Sequence, residues 1–268
     1  MLILGIFERL KCAQAEGYEH VHGLVEATKQ AFIVRNREIA DPAVMTGSQT
    51  GYLSDEFLDR MAREIDPRRA MPWPAPPAMG GTVWLGACDG DGVMVSYIQS
   101  VYWEFGSGVV LPEAGITWQN RGSSFVLDPK ARLALAPRRK PFHTLNPACA
   151  TLRDGRRMVY GTMGGDGQPQ TQAAVFTRYA MFGQPLQRAI SAPRWLLGRT
   201  WGEESVTLKL ERRAGSELAE ALAAAGHAVE LVDDWGDIMG HAGAVTRDAH
   251  GAIIGAADPR SDGVAAGW

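Results

Sequence analysis

Cysteine is scarce in this chain. Cys12, Cys88 and Cys149 are far apart and odd in number, which suggests neither a disulfide framework nor a thiolate metal cluster. Long apolar runs are missing as well, and no stretch approaches the roughly 20 residues that a membrane-spanning helix needs. The apolar opening, Met1 to Phe7, is short and runs straight into Glu8, Arg9 and Lys11. Without a basic leader or a small-residue cleavage site it makes a poor signal peptide. Nor is there an excess of positive charge. A formal charge of −3 gives no reason to expect nucleic acid or an anionic membrane as partner. No internal repeat or low-complexity tract is evident. The 268 residues are 46% apolar and 21% charged, an ordinary globular composition for one large domain or two small ones. A soluble, cytoplasmic protein is expected.

The first third reads as helices. Val21, Leu24, Val25, Thr28, Ala31, Phe32 and Arg35 recur at three- and four-residue spacing, which predicts an amphipathic helix over 17–40. Asp41-Pro42 ends it, because the residue before proline is pushed out of the α region. After a loop from Thr46 to Gly51, Ser54 is a good N-cap for a second helix carrying Phe57, Leu58 and Met61. Asp66-Pro67 closes that one. A Pro-rich connector, Met71 to Pro77, then stays extended, since each ring fixes φ and removes a donor.

Beyond it the pattern changes to strands and turns. Asp89-Gly90-Asp91-Gly92 is a strong hairpin signal between Val83–Cys88 and Val93–Ser100. It lacks the further oxygen ligands of a calcium loop. Arg153-Asp154-Gly155-Arg156 divides two more apolar runs in the same way. Residues 168–190 are expected to be helical, and so are 216–225, which end at Gly226. Strands are expected at 229–232, 242–246 and 252–256. Helices before and after strands indicate a layered α+β domain.

At the change of pattern stands Gly80-Gly81-Thr82. Glycines allow backbone angles that other residues resist. If the bond before Thr82 were cut, one residue would carry a hydroxyl nucleophile and a free amine of pKa roughly 7.7–8.0, able to act as its base. A bare Gly-Gly-Thr is more often only a loop entering a strand.

The downstream motifs change that weighing. Phe105-Gly106-Ser107-Gly108, Glu113-Ala114-Gly115-Ile116, Arg139-Lys140-Pro141-Phe142, Gly164-Gly165, Ala192-Pro193-Arg194 and Asp258-Pro259-Arg260-Ser261 follow in order. With Thr82, and with Glu26-Ala27 and Ala40-Asp41-Pro42 before it, they resemble the γ-glutamyltransferase family over nearly the whole chain. The resemblance implies an N-terminal-nucleophile hydrolase with an αββα four-layer sandwich, needing no metal or organic cofactor. It implies self-cleavage before Thr82, with Thr82 then attacking an amide or γ-glutamyl bond. Gly164 and Gly165 match the pair whose N–H groups hold the oxyanion, an effect worth ~2.7–4 kcal/mol for one donor.

Departures from the family pattern bear on the substrate. Where family transferases carry an Asp that grips an α-ammonium group, this chain has Ser124, within Gln119 to Phe125. Arg121 replaces a Gln and adds a fork of donors suited to a carboxylate. His143-Thr144 replaces a Ser-Ser pair, Ser100 replaces an Asn, and Ile98 replaces a Thr. These changes are similar to the branch that includes oxamate amidohydrolase and glutaryl-type acylases. A small carboxylate-bearing amide is therefore the expected substrate, with Ser100, Arg121, Ser124, His143 and Thr144 around it; a surface or structural arginine is the alternative for Arg121, and a hydrogen bond to backbone alone the alternative for His143. A γ-glutamyl transferase or glutathione hydrolase, and a non-catalytic subunit, are the alternatives.

By the same resemblance, 1–81 would be the end of a large-subunit region and 82–268 the small-subunit catalytic region. The family's longer large-subunit region is absent, so the sandwich is expected to be incomplete and an upstream chain is the expected partner. Outside these motifs the readings are structural. Asp166 is expected either to orient the glycine loop or, the commoner use, to cap the following helix, and His241 has no partner that sequence can name. Trp84, Trp103 and Trp118 are expected in core or pocket wall, and Cys88 buried in a strand.

Overall fold

The computed structural model describes residues 1–48, 50–73, 81–200 and 205–268. The Pro-rich connector beyond Trp73, and Gly80 with it, lies outside them. Three helices come first: α1 (Leu2–Arg9), α2 (Gly17–Glu38) and α3 (Asp55–Arg63). α2 ends where Asp41-Pro42 predicts. It is buried on every side from His20 to Ala31, more deeply than an amphipathic stripe requires. Ser54 caps α3, its Oγ accepting from the Phe57 N–H at 3.3 Å.

After the junction, β1 (Gly81–Cys88) and β2 (Met94–Tyr102) form the expected hairpin. Asp89 is used by the turn: its Oδ1 accepts from the Val93 N–H at 2.8 Å, and Gly92 takes φ +86°. A small antiparallel pair follows, β3 (Val110–Leu111) with β4 (Ile116–Thr117).

The central layer is an antiparallel sheet of β5 (Ala148–Thr151), β6 (Arg157–Thr162), β10 (Ala242–Arg247) and β11 (Ile253–Ala257), in the order β11-β10-β6-β5. Alternation divides its faces. Met158, Tyr160, Ala242 and Ala244 pack against α4 (Gly167–Phe176) and α5 (Leu186–Ser191). On the other face Gly161 and Gly243 are cross-strand partners, and the indole of Trp84 lies over both. A Cβ on either glycine would strike that ring, so the two glycines allow β1 to approach. The order is thus helix, sheet, sheet. The outer face of the β1–β2 hairpin is apolar and exposed at Val83, Leu85, Val95 and Tyr97, all at 46% or more.

A second sheet holds β7 (Trp195–Leu197), β8 (Leu208–Glu211) and β9 (Val229–Val232), with α6 (Ser216–Ala224) linking the parallel pair β8 and β9. Leu24 and Val25 of α2 share one core with Trp195, Leu208, Leu210 and Leu222. The region before the junction and the region after it therefore bury one apolar cluster together.

Three expectations need correction. The helix over 168–190 is broken: α4 widens into a π turn at Thr177–Met181, and the chain restarts as α5. Gly183 at φ +68° and Pro185 account for the break. Trp103 and Trp118 are exposed, at 42% and 50%. Cys88 is only half-buried, because it ends its strand at the turn.

Candidate active site

Thr82 is the second residue of β1, at an irregularity in the ladder. Gly81 pairs with Tyr102 but Val83 with Gln99, so Ser100 and Val101 both stand opposite Thr82. Such a bulge re-aims the side chains around it. Tyr102 closes it at φ +82°, a backbone that a bulky residue rarely adopts. Ser100 Oγ becomes a hub. It accepts from Thr82 Oγ1 at 3.1 Å, from Arg121 Nη2 at 3.2 Å and from the Tyr102 N–H at 3.0 Å.

Arg121 is 6% exposed, held by the 3₁₀ turn Arg121–Ser124. Its Nη1 donates to Thr144 Oγ1 at 3.3 Å, and its guanidinium carbon lies 4.4 Å from the centre of the Tyr102 ring. Its Nε is buried without a partner, and no carboxylate among the described residues pairs with it. Burial pushes its pKa below the ordinary arginine value, with only Tyr102 opposing. Thr82, Ser100, Arg121 and Thr144 thus form one hydrogen-bonded chain.

Two expected members stand apart from it. Ser124 Oγ donates to the Arg121 carbonyl at 2.8 Å, within its own turn. His143 Nδ1 accepts from the Leu145 N–H at 3.3 Å. Burial first, then the charge of Arg121, lowers its pKa. His143 and Thr144 line a cavity of about 460 Å³ with Arg35, Phe142, Gly165 and Asp166.

Gly164 and Gly165 follow β6 at φ +111° and +50°, conformations open to glycine. A Cβ on Gly164 would come within 2.7 Å of the Thr200 methyl group. The course of β1 over the central sheet runs toward them. Trp84 lies over Gly161, and the position of a Cβ on Gly86 lies 3.3 Å from Val159, so β1 runs antiparallel to β6. Continued two residues back from Trp84, that direction leads Thr82 toward the end of β6 that Gly164 and Gly165 follow.

Asp166 does not cap α4. Its fully buried carboxylate accepts from both arms of Arg35, at 2.6 and 3.1 Å, tying the end of α2 to the glycine turn. Sequence reasoning missed the pairing, although a signal existed: Arg35 occupies a position of the buried face of α2.

His22, Glu26 and His227 form a buried trio whose ligand atoms lie within 4.8 Å of one another. Those atoms are already committed. His22 Nε2 donates to the Asp66 carbonyl at 2.8 Å, its Nδ1 contacts His227 Nε2 at 2.8 Å, and Lys29 Nζ donates to Glu26 Oε1 at 2.7 Å. A cation there would meet the lysine charge, so the trio suits a hydrogen-bonded cluster better than a metal.

The profile of the family described as gamma-glutamyltranspeptidase matches residues 1–268. The chain is 55% identical over 268 residues to the oxamate amidohydrolase proenzyme of Klebsiella pneumoniae, covering all of this chain and 51% of that protein. It is 42% identical over 269 residues to the glutathione hydrolase-like YwrD proenzyme of Bacillus subtilis, again covering 100% of this chain and 51% of the relative. Its fold matches a cephalosporin acylase from Bacillus halodurans with a TM-score of 0.82 at 32% identity, covering 100% of this chain and 49% of the acylase. The chain therefore spans about half the length of the curated relatives it matches.

Proposed function

Since the chain belongs to the gamma-glutamyltranspeptidase family, we propose that it is the catalytic portion of an amide hydrolase that cuts itself between Gly81 and Thr82. The substrate would be a small amide bearing a carboxylate. One observation carries that choice: Arg121 is a buried cation with no carboxylate partner among the described residues, one hydroxyl away from Thr82. A buried charge without a partner is costly, and a substrate carboxylate would relieve it with paired, charge-assisted hydrogen bonds.

In this reading the freed α-amine of Thr82 takes the proton from its own hydroxyl, and the oxygen attacks the amide carbonyl. The N–H groups of Gly164 and Gly165 hold the oxyanion. The ammonium then protonates the leaving amine, and water releases the acid from the ester on Thr82. Ser100 and Thr144 hold the guanidinium in place. These steps use no metal or organic cofactor. A γ-glutamyl donor fits less well, because Ser124 offers no carboxylate to its α-ammonium group.

The same reading assigns an upstream large-subunit region as partner, lying on the exposed apolar face of β1 and β2. Support comes from that face and from relatives named as proenzymes of about twice this length. Mass spectrometry of the purified chain tests the proposal. A fragment beginning at Thr82, absent from Thr82→Ala, is the expected result. An intact wild-type chain, with the upstream region supplied as well, would overturn it.

A further inference from the structure

In an uncut chain the nitrogen of Thr82 is an amide and cannot serve as a base. Self-cleavage therefore needs a proton acceptor that the mature mechanism does not supply. His241 is the side chain to weigh for that part. It directly precedes β10, whose first residue, Ala242, pairs with Thr162 and faces the helices. Continuing the alternation of β10 back by one residue puts His241 on the face of Gly243, the side that carries β1. Along that face Trp84 covers the rung of Gly161 and Gly243. The paired ladder of β6 and β10 ends at Thr162 and Ala242, and one further step along the same face leads toward Met163 and His241, the direction in which β1 runs back from Trp84 to Thr82. The imidazole is half-buried, and its Nε2 is buried without a hydrogen-bond partner.

We infer that His241 is the general base of self-cleavage. This rests on the reading of Gly81–Thr82 as the bond that is cut. His241 Nε2 takes the proton of Thr82 Oγ1, directly or through one water, as the oxygen bonds to the carbonyl carbon of Gly81. The imidazolium returns that proton to the Thr82 nitrogen as the C–N bond breaks, leaving a free α-amine and a Gly81 ester on Oγ1. Water then hydrolyses the ester to the Gly81 carboxylate and the Thr82 hydroxyl. In the resting structure Thr82 Oγ1 donates to Ser100, so the hydroxyl turns away from Ser100 to react.

The surroundings keep the imidazole neutral. Burial lowers its pKa from the ordinary 6.5, Asp258 and Asp237 oppose the shift, and Arg194 and Arg260 add to it. A base must be unprotonated, so the cutting rate is full at neutral pH and falls only as pH drops below the ordinary imidazole range.

The test follows cutting of the full chain by mass spectrometry over time and pH. His241→Gln is expected to slow it roughly a hundredfold and to abolish the fall at low pH. His241→Ala is expected to lose cutting and to recover it with added imidazole. In parallel, NMR titration of His241 in the uncut chain should show its pKa moved by Thr82→Val. Wild-type speed in His241→Gln, an Ala variant that imidazole does not restore, or a titration indifferent to Thr82→Val would each overturn the assignment while leaving self-cleavage standing. A wild-type chain that never cuts, with the upstream region supplied as well, would overturn the cleavage reading itself, and with it the step assigned to His241.

Discussion

On the proposed reading, Arg121 is a side chain that carries more function than stability. Its guanidinium is buried against Tyr102 and held by two hydroxyls, without an anion from the described residues. Replacing a buried ion with an apolar group of similar length is often neutral or stabilising. Arg121→Met should therefore melt no lower than wild type by calorimetry. It should also raise KM for a carboxylate-bearing amide roughly ten- to hundredfold, the scale of one or two lost hydrogen bonds to a charged group. A variant that melts well below wild type would make Arg121 structural. Asp166 acts through its neighbours. Asp166→Asn weakens the grip of Arg35 on the glycine turn, so it should lower kcat more than it changes KM. Steady-state kinetics separates the two.

Among the elements, the contact between the two sheets is the one most open to test. Gly161 and Gly243 bring β1 against the central sheet, and Trp84 fills the space their missing side chains leave. Gly161→Ala or Gly243→Ala should cost about 1–3 kcal/mol, read from urea unfolding, because backbone and ring must move apart. Trp84→Leu combined with Gly161→Ala should cost less than the two single changes added together, since the shorter side chain leaves room for the methyl. Strict additivity would mean that the ring does not rest on this rung. The same contact holds the strand that carries Thr82, so on the proposed reading slippage there should also slow self-cleavage.

At the scale of the whole molecule, buried titratable groups set the response to acid. Burial, then Arg178, lowers His20 to about 4, with Glu16 opposing. Burial, then Lys29 and His22, lowers His227 to about 3. Both are neutral in the fold but take up protons at about pH 6.5 when unfolded, so stability is lost as pH falls from about 6.5 toward those values. The carboxylates follow. Burial alone would raise Asp258 and Glu211, yet Arg194 and Arg260 outweigh it for Asp258, and Arg260, the Arg194 N–H and Arg213 do so for Glu211. Their lowered pKa values give stability that is present above the ordinary carboxylate range and lost as pH falls through it. Urea midpoints should thus begin to drop near pH 6.5, before carboxylates protonate, and His20→Gln should reduce that early slope. A flat midpoint from pH 7 to 5 would contradict it. Among the described residues no helix is long and apolar enough to cross a membrane.

The sequence by itself determined what short-range spacing controls. The span of α2, the Ser54 cap, the β1–β2 turn and the ends of α6, β9 and β10 depend on neighbours within a few residues. The resemblance to a family, carried by motifs in order, marked Thr82, the glycine pair and Arg121. Tertiary structure alone decided what stands across from what. Arg35 meeting Asp166 and Trp84 crossing Gly161 and Gly243 follow from strand register and helix packing, which join residues far apart in the chain. The break after α4 combined both scales: Gly183 and Pro185 were legible as breakers, but the apolar run on either side obscured them. The exposure of Trp103 and Trp118 was decided by long-range packing too, because an indole is buried only where another layer arrives to cover it.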